Sequence, residues 1–197
     1  MQLIIATTNK GKLREYEDLL VGLDVRLEGL DAFEGLAKPV EDGDSFVVNA
    51  EIKAREYARQ TGEWVLADDS GLEVSALSGA PGVNSARFGG ADSDYAQKMN
   101  LIINSLSTAG NRSARFVCVI AVARPDGSIA ATSLGECRGT IAEAPRGTNG
   151  FGYDPLFIPE GSIRTFGEMT DAEKQSLSHR AHAVEEIIRK MLDFIGV

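Results

Sequence analysis

The chain has 197 residues, 43% of them hydrophobic, with 21 glycines and a formal charge of −9. That length suits one domain with a real core. The negative balance speaks against duplex DNA or an anionic membrane as a partner, where basic surfaces supply affinity. Two cysteines, Cys118 and Cys137, are too few for a disulfide scaffold, and no CxxC or Cys/His cluster suggests zinc. The opening residues lack the pattern of a signal peptide, and no stretch approaches the ~20 apolar residues of a membrane span. The expectation is a cytoplasmic protein.

In chain order, Gln2 to Ala6 reads as a buried strand, after which Thr8 or Asn9 can cap a helix through about Val21. Val25 to Glu28 suggests a short strand, and 31–43 a loop. Asp44 or Ser45 caps the next helix, which shows an apolar side of Phe46, Val47, Ala50, Ala54, Tyr57 and Ala58 and ends at Gly62. Trp64–Ala67 and Leu72–Ala76 read as two strands around the polar Asp68-Asp69-Ser70-Gly71. A turn at Gly79–Gly82 follows, then a helix from Asp92 or Ser93 to about Leu106. Ala114–Ala123 and Ser128–Leu134 form a predicted hairpin through Pro125-Asp126-Gly127, which Arg138–Ala142 can extend. Thr170 with Glu173 makes a capping box, and Ser178 caps a last helix from Ala181 to about Ile195. Early strand–helix alternation followed by hairpins predicts an α/β fold: a mixed sheet flanked by helices, in two lobes with a cleft between them.

Four segments carry chemistry. Thr7-Thr8-Asn9-Lys10-Gly11-Lys12 joins a strand to a helix N-terminus, where backbone N–H groups, the helix dipole and lysines all favour a phosphate. It is no P-loop, because Ala6 and Leu13 stand where that motif needs Gly and a hydroxyl. Glu41, Asp42, Asp44 and the pair Asp68-Asp69 offer hard oxygen ligands suited to Mg²⁺; capping is the simpler role for Asp42 and Asp44. In extended backbone Asp68 and Asp69 point to opposite sides and take different roles. Asn49 and Lys53 share a helix face, and Arg87 follows in Ser85-Ala86-Arg87. Gly147 to Pro155 combines three glycines with Phe151 and Tyr153, so backbone can approach a ligand while an aromatic face stacks on a base. With Ser178 as cap, His179 and Arg180 lie in a first helical turn, offering donors to an acceptor such as a purine 6-oxo group.

Together these segments resemble the inosine triphosphate pyrophosphatase family. The runs carrying the likeness are Thr7-x-Asn9-x-x-Lys12, Glu41, Asn49-Ala50-x-x-Lys53-Ala54 and Ala67 to Leu72. They continue with Gly79-x-Pro81-Gly82, Ser85-Ala86-Arg87, Gly150 to Pro155, and Lys174 with Ser178-His179-Arg180. The resemblance implies hydrolysis of ITP, dITP and XTP to the monophosphate and pyrophosphate, by a Mg²⁺-dependent homodimer that clears such nucleotides from the pool. It also implies that Glu41 and Asp69 hold the metal and that Asp69 accepts the proton, with Lys53 as its catalytic partner. Thr7, Thr8, Asn9, Lys10, Gly11, Lys12, Lys53 and Ser70 would hold the triphosphate. Phe151, Gly152, Tyr153, Asp154, Lys174, His179 and Arg180 would surround base and sugar.

Overall fold

A computed structural model describes residues 2–90, 92–107 and 110–195. It has a mixed α/β architecture with one six-stranded sheet. In chain order the elements are β1 (Gln2–Ile5), α1 (Lys10–Leu19), β2 (Arg26–Gly29), α2 (Phe46–Thr61), β3 (Trp64–Val74), α3 (Tyr95–Ser105), β4 (Ser113–Ala123), β5 (Ile129–Ile141), β6 (Phe157–Pro159), α4 (Asp171–Gln175) and α5 (His179–Ile195). The strand order is β2-β1-β3-β4-β5-β6. β1 runs parallel to both β2 and β3, pairing Leu3 with Leu27 and with Trp64. β5 and β6 are antiparallel.

The helix signals act as expected. The Asn9 side chain accepts hydrogen bonds from the N–H groups of Gly11 and Lys12, fixing the start of α1. Ser45 caps α2, and Gly62 ends it with a left-handed φ of 70° that a residue without Cβ adopts freely. The Thr170–Glu173 capping box opens α4. Four expectations need correction, the first being that Asp94, not Asp92 or Ser93, caps α3. Trp64–Val74 is a single strand that runs through Asp68-Asp69-Ser70-Gly71, because ladder pairing overrides the polar composition. The 129–134 and 138–142 stretches likewise merge into the long β5, and α5 begins at His179 rather than Ala181.

The chain divides into two compact units. Unit 1 comprises Met1–Asp69, Cys118–Gly135 and Arg180–Val197; unit 2 comprises Ser70–Val117 and Glu136–His179. Each has its own core. In unit 1, Leu3, Ile5, Tyr16, Leu20, Leu66, Cys118, Ile120 and Ile187 pack together. In unit 2, Leu72, Ile102, Phe116, Tyr153, Leu156, Phe157 and Phe166 do so. At about 1.5–3 kcal/mol for each fully buried aliphatic or aromatic side chain, these clusters make rigid platforms for the groups at their edges. Both cysteines are free and buried. No helix among the described residues is long and apolar enough to cross a membrane.

Candidate functional site

The alternation of β3 sends Asp68 and Asp69 to two separate charge clusters within unit 1. Asp68 is 2% exposed. Its Oδ2 accepts from Lys12 Nζ at 2.8 Å and from Arg180 Nη2 at 3.3 Å. The Cys118 thiol lies 3.8 Å from the same oxygen. Burial opposes ionisation here, but Lys12, Arg180 and Lys53 outweigh it and hold the carboxyl well below the usual carboxylate range. The same surroundings, burial first and Asp68 second, push the Cys118 thiol up to about 12, so it stays protonated.

Asp69 belongs to the other cluster. Its Oδ2 accepts from Asn49 Nδ2 at 3.1 Å, and its Oδ1 lies 3.5 Å from Lys53 Nζ. Lys53 also donates to Glu41 Oε2 at 2.7 Å. Burial raises the Asp69 carboxyl above its ordinary value, against the opposing pull of Lys53 and Asn49. Burial works against the charge on Lys53 too, but Asp69, Asp68 and Glu41 prevail and its ammonium is held more firmly protonated. Burial acts on both carboxylates, yet the net shift is downward for Asp68, which faces Lys12 and Arg180, and upward for Asp69.

Glu41 and Asp69 therefore meet on one cation, Lys53. Among the described residues no group of three or more His, Cys, Asp or Glu side chains converges as a metal cage. Two carboxylates are nevertheless the donor set that suits Mg²⁺, which keeps several waters and shares phosphate oxygens. The residues present fit such an ion. Asp42 and Asp44 cap nothing, since Ser45 is the cap and the Asn49 Oδ1 accepts from Gly43 N–H at 2.9 Å. Asn49, 2% exposed, ties the acidic loop to Asp69. In the sequence it stood out as the i,i+4 companion of Lys53 and as part of the run Asn49-Ala50-x-x-Lys53-Ala54, with no sign of its bond to Asp69.

Around the first helix the exposed Thr8, Asn9 and Lys10, with Thr7, Gly11 and Lys12 half-buried, form the expected capped turn. Asn9 N–H donates to Thr7 Oγ1 at 3.2 Å. Ser70, half-buried, follows Asp69 on β3.

In unit 2 the glycine segment is an interlocked platform. The Asn149 amide donates to Gly167 O at 3.0 Å, and its Nδ2 to Met169 O at 2.9 Å. A side chain at Gly147 would collide with the Gly167 carbonyl. Asp154, 2% exposed, accepts on Oδ2 from Phe151 N–H at 2.7 Å and from Lys174 Nζ at 2.6 Å. Lys174 Nζ stands 4.5 Å from the centroid of the half-buried Phe151 ring. Gly152, with φ of 67°, turns the chain between the two aromatics.

Three side chains sit differently from the sequence expectation. Tyr153 offers no stacking face: it is 3% exposed within the unit 2 core, and its hydroxyl donates to Ser85 O at 2.9 Å. His179, 5% exposed, lies parallel to Phe116 with centroids 4.7 Å apart. Arg180 is 1% exposed, and its guanidinium is engaged by Glu15 and Asp68 over the Tyr16 ring. A base-reading guanidinium was expected there; a buried strut is found. Long-range partners, 165 residues apart for Glu15 and Arg180, leave no local signal.

A model of the Ham1 family matches residues 3–190. A dITP/XTP pyrophosphatase from Thermosynechococcus vestitus is 46% identical, covering 94% of this chain and 93% of its own. Another from Nostoc sp. is 47% identical over 96% and 93%. Among solved structures, a HAM1 protein from Coxiella burnetii has a TM-score of 0.90 and 38% identity, covering 98% of this chain and 99% of its own. A nucleoside-triphosphatase / dITP/XTP pyrophosphatase from Mycobacterium abscessus has a TM-score of 0.76 and 40% identity, over 95% and 97%.

Proposed function

This chain belongs to the Ham1 family, and on that premise we propose that it hydrolyses ITP, dITP and XTP to the nucleoside monophosphate and pyrophosphate. The likeness to inosine triphosphate pyrophosphatases read from the motifs points the same way. The observation that carries the chemistry is the meeting of Glu41 and Asp69 on Lys53, with Asn49 aimed at Asp69.

In this reading Glu41 and Asp69 hold a Mg²⁺ ion. That ion, when bound, offsets charge on the phosphates. Thr7 to Lys12 take the triphosphate through the positive end of the α1 dipole and their lysines, and Ser70 also binds it. A water attacks the α-phosphorus, the bond to the bridging oxygen breaks, and pyrophosphate leaves with the electron pair. Asp69 orients the water and accepts its proton. Lys53 offsets charge growing on the phosphoryl oxygens. Asp68 keeps Lys12 and Arg180 in place as an anion of fixed charge.

Phe151 supplies the stacking ring, held by the bond from its N–H to Asp154. Lys174 and the first turn of α5 supply donors near the base. Donors committed to a 6-oxo acceptor reject a 6-amino group by up to ~10⁴-fold, far beyond what packing alone achieves. Tyr153 and Arg180 act in this scheme by positioning others. The homodimer implied by the resemblance belongs to the same proposal.

The test is a panel of ITP, dITP, XTP, ATP and GTP with Mg²⁺, identifying the phosphorus product. Pyrophosphate from the 6-oxo substrates ITP, dITP and XTP, in clear preference to ATP, is expected, and excess EDTA should stop it. Orthophosphate as the product, or an equal rate with ATP, would refute the reading.

A further inference from the structure

The acidic loop of unit 1 is held by a helix rather than by structure of its own. Residues 33–45 form neither helix nor strand, yet they carry Glu41. Three side chains of α2 fasten this stretch. Asn49 Oδ1 accepts from Gly43 N–H at 2.9 Å, and Lys53 Nζ donates to Glu41 Oε2 at 2.7 Å. Gln60 makes the third attachment with both ends of its side-chain amide. Its Oε1 accepts from Ala37 N–H at 2.7 Å, and its Nε2 donates to Ala37 O at 3.0 Å.

Helical geometry explains why these three act together. At about 100° per residue, positions 49, 53 and 60 fall within roughly 40° of one another around α2. The loop therefore runs back along one stripe of the helix, from Ala37 beside Gln60 to Gly43 beside Asn49. Between Ala37 and Glu41 stands Pro39, whose ring locks its own φ and biases Lys38 toward extended backbone. A fix at Ala37 is thus carried stiffly to Glu41.

The attachments differ in kind. The bond from Lys53 is ionic and engages the very carboxylate that Mg²⁺ would take in the proposed reaction, so the two cations compete for it. The bonds at Gly43 and Ala37 are neutral backbone attachments on either side of Glu41, and a cation at the carboxylate leaves them in place. Gln60 is exposed, and ordering a long exposed side chain costs rotamer entropy. Two bonds to a single residue offset that cost.

We propose that Gln60 is a positioning residue that keeps Glu41 in place for a divalent cation when the bond from Lys53 is given up. The proposal rests on the reading of Glu41 and Asp69 as metal-binding carboxylates. Gln60 acts on the metal only through residues 37–41.

A double-mutant cycle of Gln60→Met and Glu41→Gln tests this. Methionine keeps the length of glutamine and loses both bonds. Metal affinity is read as the Mg²⁺ concentration for half-maximal dITP turnover. It is read independently as binding of Mn²⁺ alone, another cation suited to oxygen ligands, by electron paramagnetic resonance. Gln60→Met should weaken both affinities roughly three- to tenfold, with kcat restored at saturating Mg²⁺. In the Glu41→Gln background it should weaken them no further, because no carboxylate is left to position. Equal affinities in wild type and Gln60→Met overturn the proposal. So does a loss that persists in the Glu41→Gln background, or a fall in kcat that Mg²⁺ does not restore, since either marks Gln60 as merely structural. If Glu41→Gln alone leaves Mn²⁺ affinity unchanged, the metal-binding reading of Glu41 fails, and the proposal falls with it.

Discussion

Replacing Lys53 with Met tests the arrangement most directly. The thioether keeps much of the length and apolar stem but removes the charge that Glu41 and Asp69 share. The side chains of Lys53, Glu41 and Asp69 are 12%, 23% and 13% exposed, so they are neither free surface ions nor fully buried ones. Breaking a buried ion pair costs about 3–5 kcal/mol and a surface pair about 0–1 kcal/mol. An intermediate loss of about 1–3 kcal/mol follows, roughly 3–10 °C in Tm for a chain of this size. Turnover of dITP should fall about 100-fold through loss of a charge-stabilising donor. Mg²⁺ makes the test specific. At the proposed site the ion would share two carboxylates with an ammonium in wild type, whereas in Lys53→Met it would meet them alone. The Mg²⁺-induced rise in Tm should thus be larger in the variant than in wild type. Thermal unfolding with and without Mg²⁺, beside a pyrophosphate-release assay, measures all three effects. A variant with wild-type Tm, the same response to Mg²⁺ and less than threefold loss of turnover would refute the role of the Lys53 charge in stability and catalysis.

Two further outcomes follow from the geometry. Asp68→Asn leaves the buried Arg180 with Glu15 as its remaining carboxylate partner and should lower Tm at pH 7. Since the folded pKa of Asp68 is depressed, its contribution is present above about pH 4, the unfolded value, and fades as pH falls toward the folded one. Urea midpoints of wild type and variant should converge in acid, and a gap that is constant with pH would contradict the assignment. Gly150→Ala pushes a Cβ into the Asp154 carboxylate at a φ of 69°. It should raise KM for dITP at least tenfold while leaving unit 1 chemistry intact, and an unchanged KM would remove the Phe151 platform from base binding.

The sequence disclosed what local physics controls. Asn9 and Ser45 announced α1 and α2 because a cap is satisfied within three residues. The opposite directions of Asp68 and Asp69 followed from strand alternation alone. What stayed hidden depends on distant partners. Tyr153 reads as a loop aromatic until the Ser85 carbonyl, 68 residues away, is seen to take its hydroxyl proton. Arg180 reads as an exposed donor until Glu15 and Asp68 are found around it. The 68–71 run reads as a polar break between two strands because four polar or small residues in a row score poorly for a strand, whereas strand pairing keeps them extended within β3.

The division of labour between the two aspartates depends on register, and the usual guide to register is absent here. A one-residue slip of β3 would exchange them, turning Asp69 toward Lys12 and Arg180 and Asp68 toward Lys53. Elsewhere an alternation of buried and exposed residues forbids such a slip. In β3, Val65, Leu66 and Ala67 are all at most 1% exposed, so both faces are apolar and neither is preferred. The strand ends must decide instead. At the N-terminal side Ala6 N–H bonds to Leu66 O at 2.8 Å, a link that any other residue's carbonyl could make. At the C-terminal side the choice is chemical. Only a glycine fits against Ser85, and Leu72 N–H bonds to the Ser85 hydroxyl. A slip would bring Ser70 or Leu72 into that contact and drive a Cβ into the Ser85 side chain. Gly71 thus fixes which aspartate faces Lys12 and Arg180 and which faces Lys53, though it touches neither substrate nor metal in the proposed reaction.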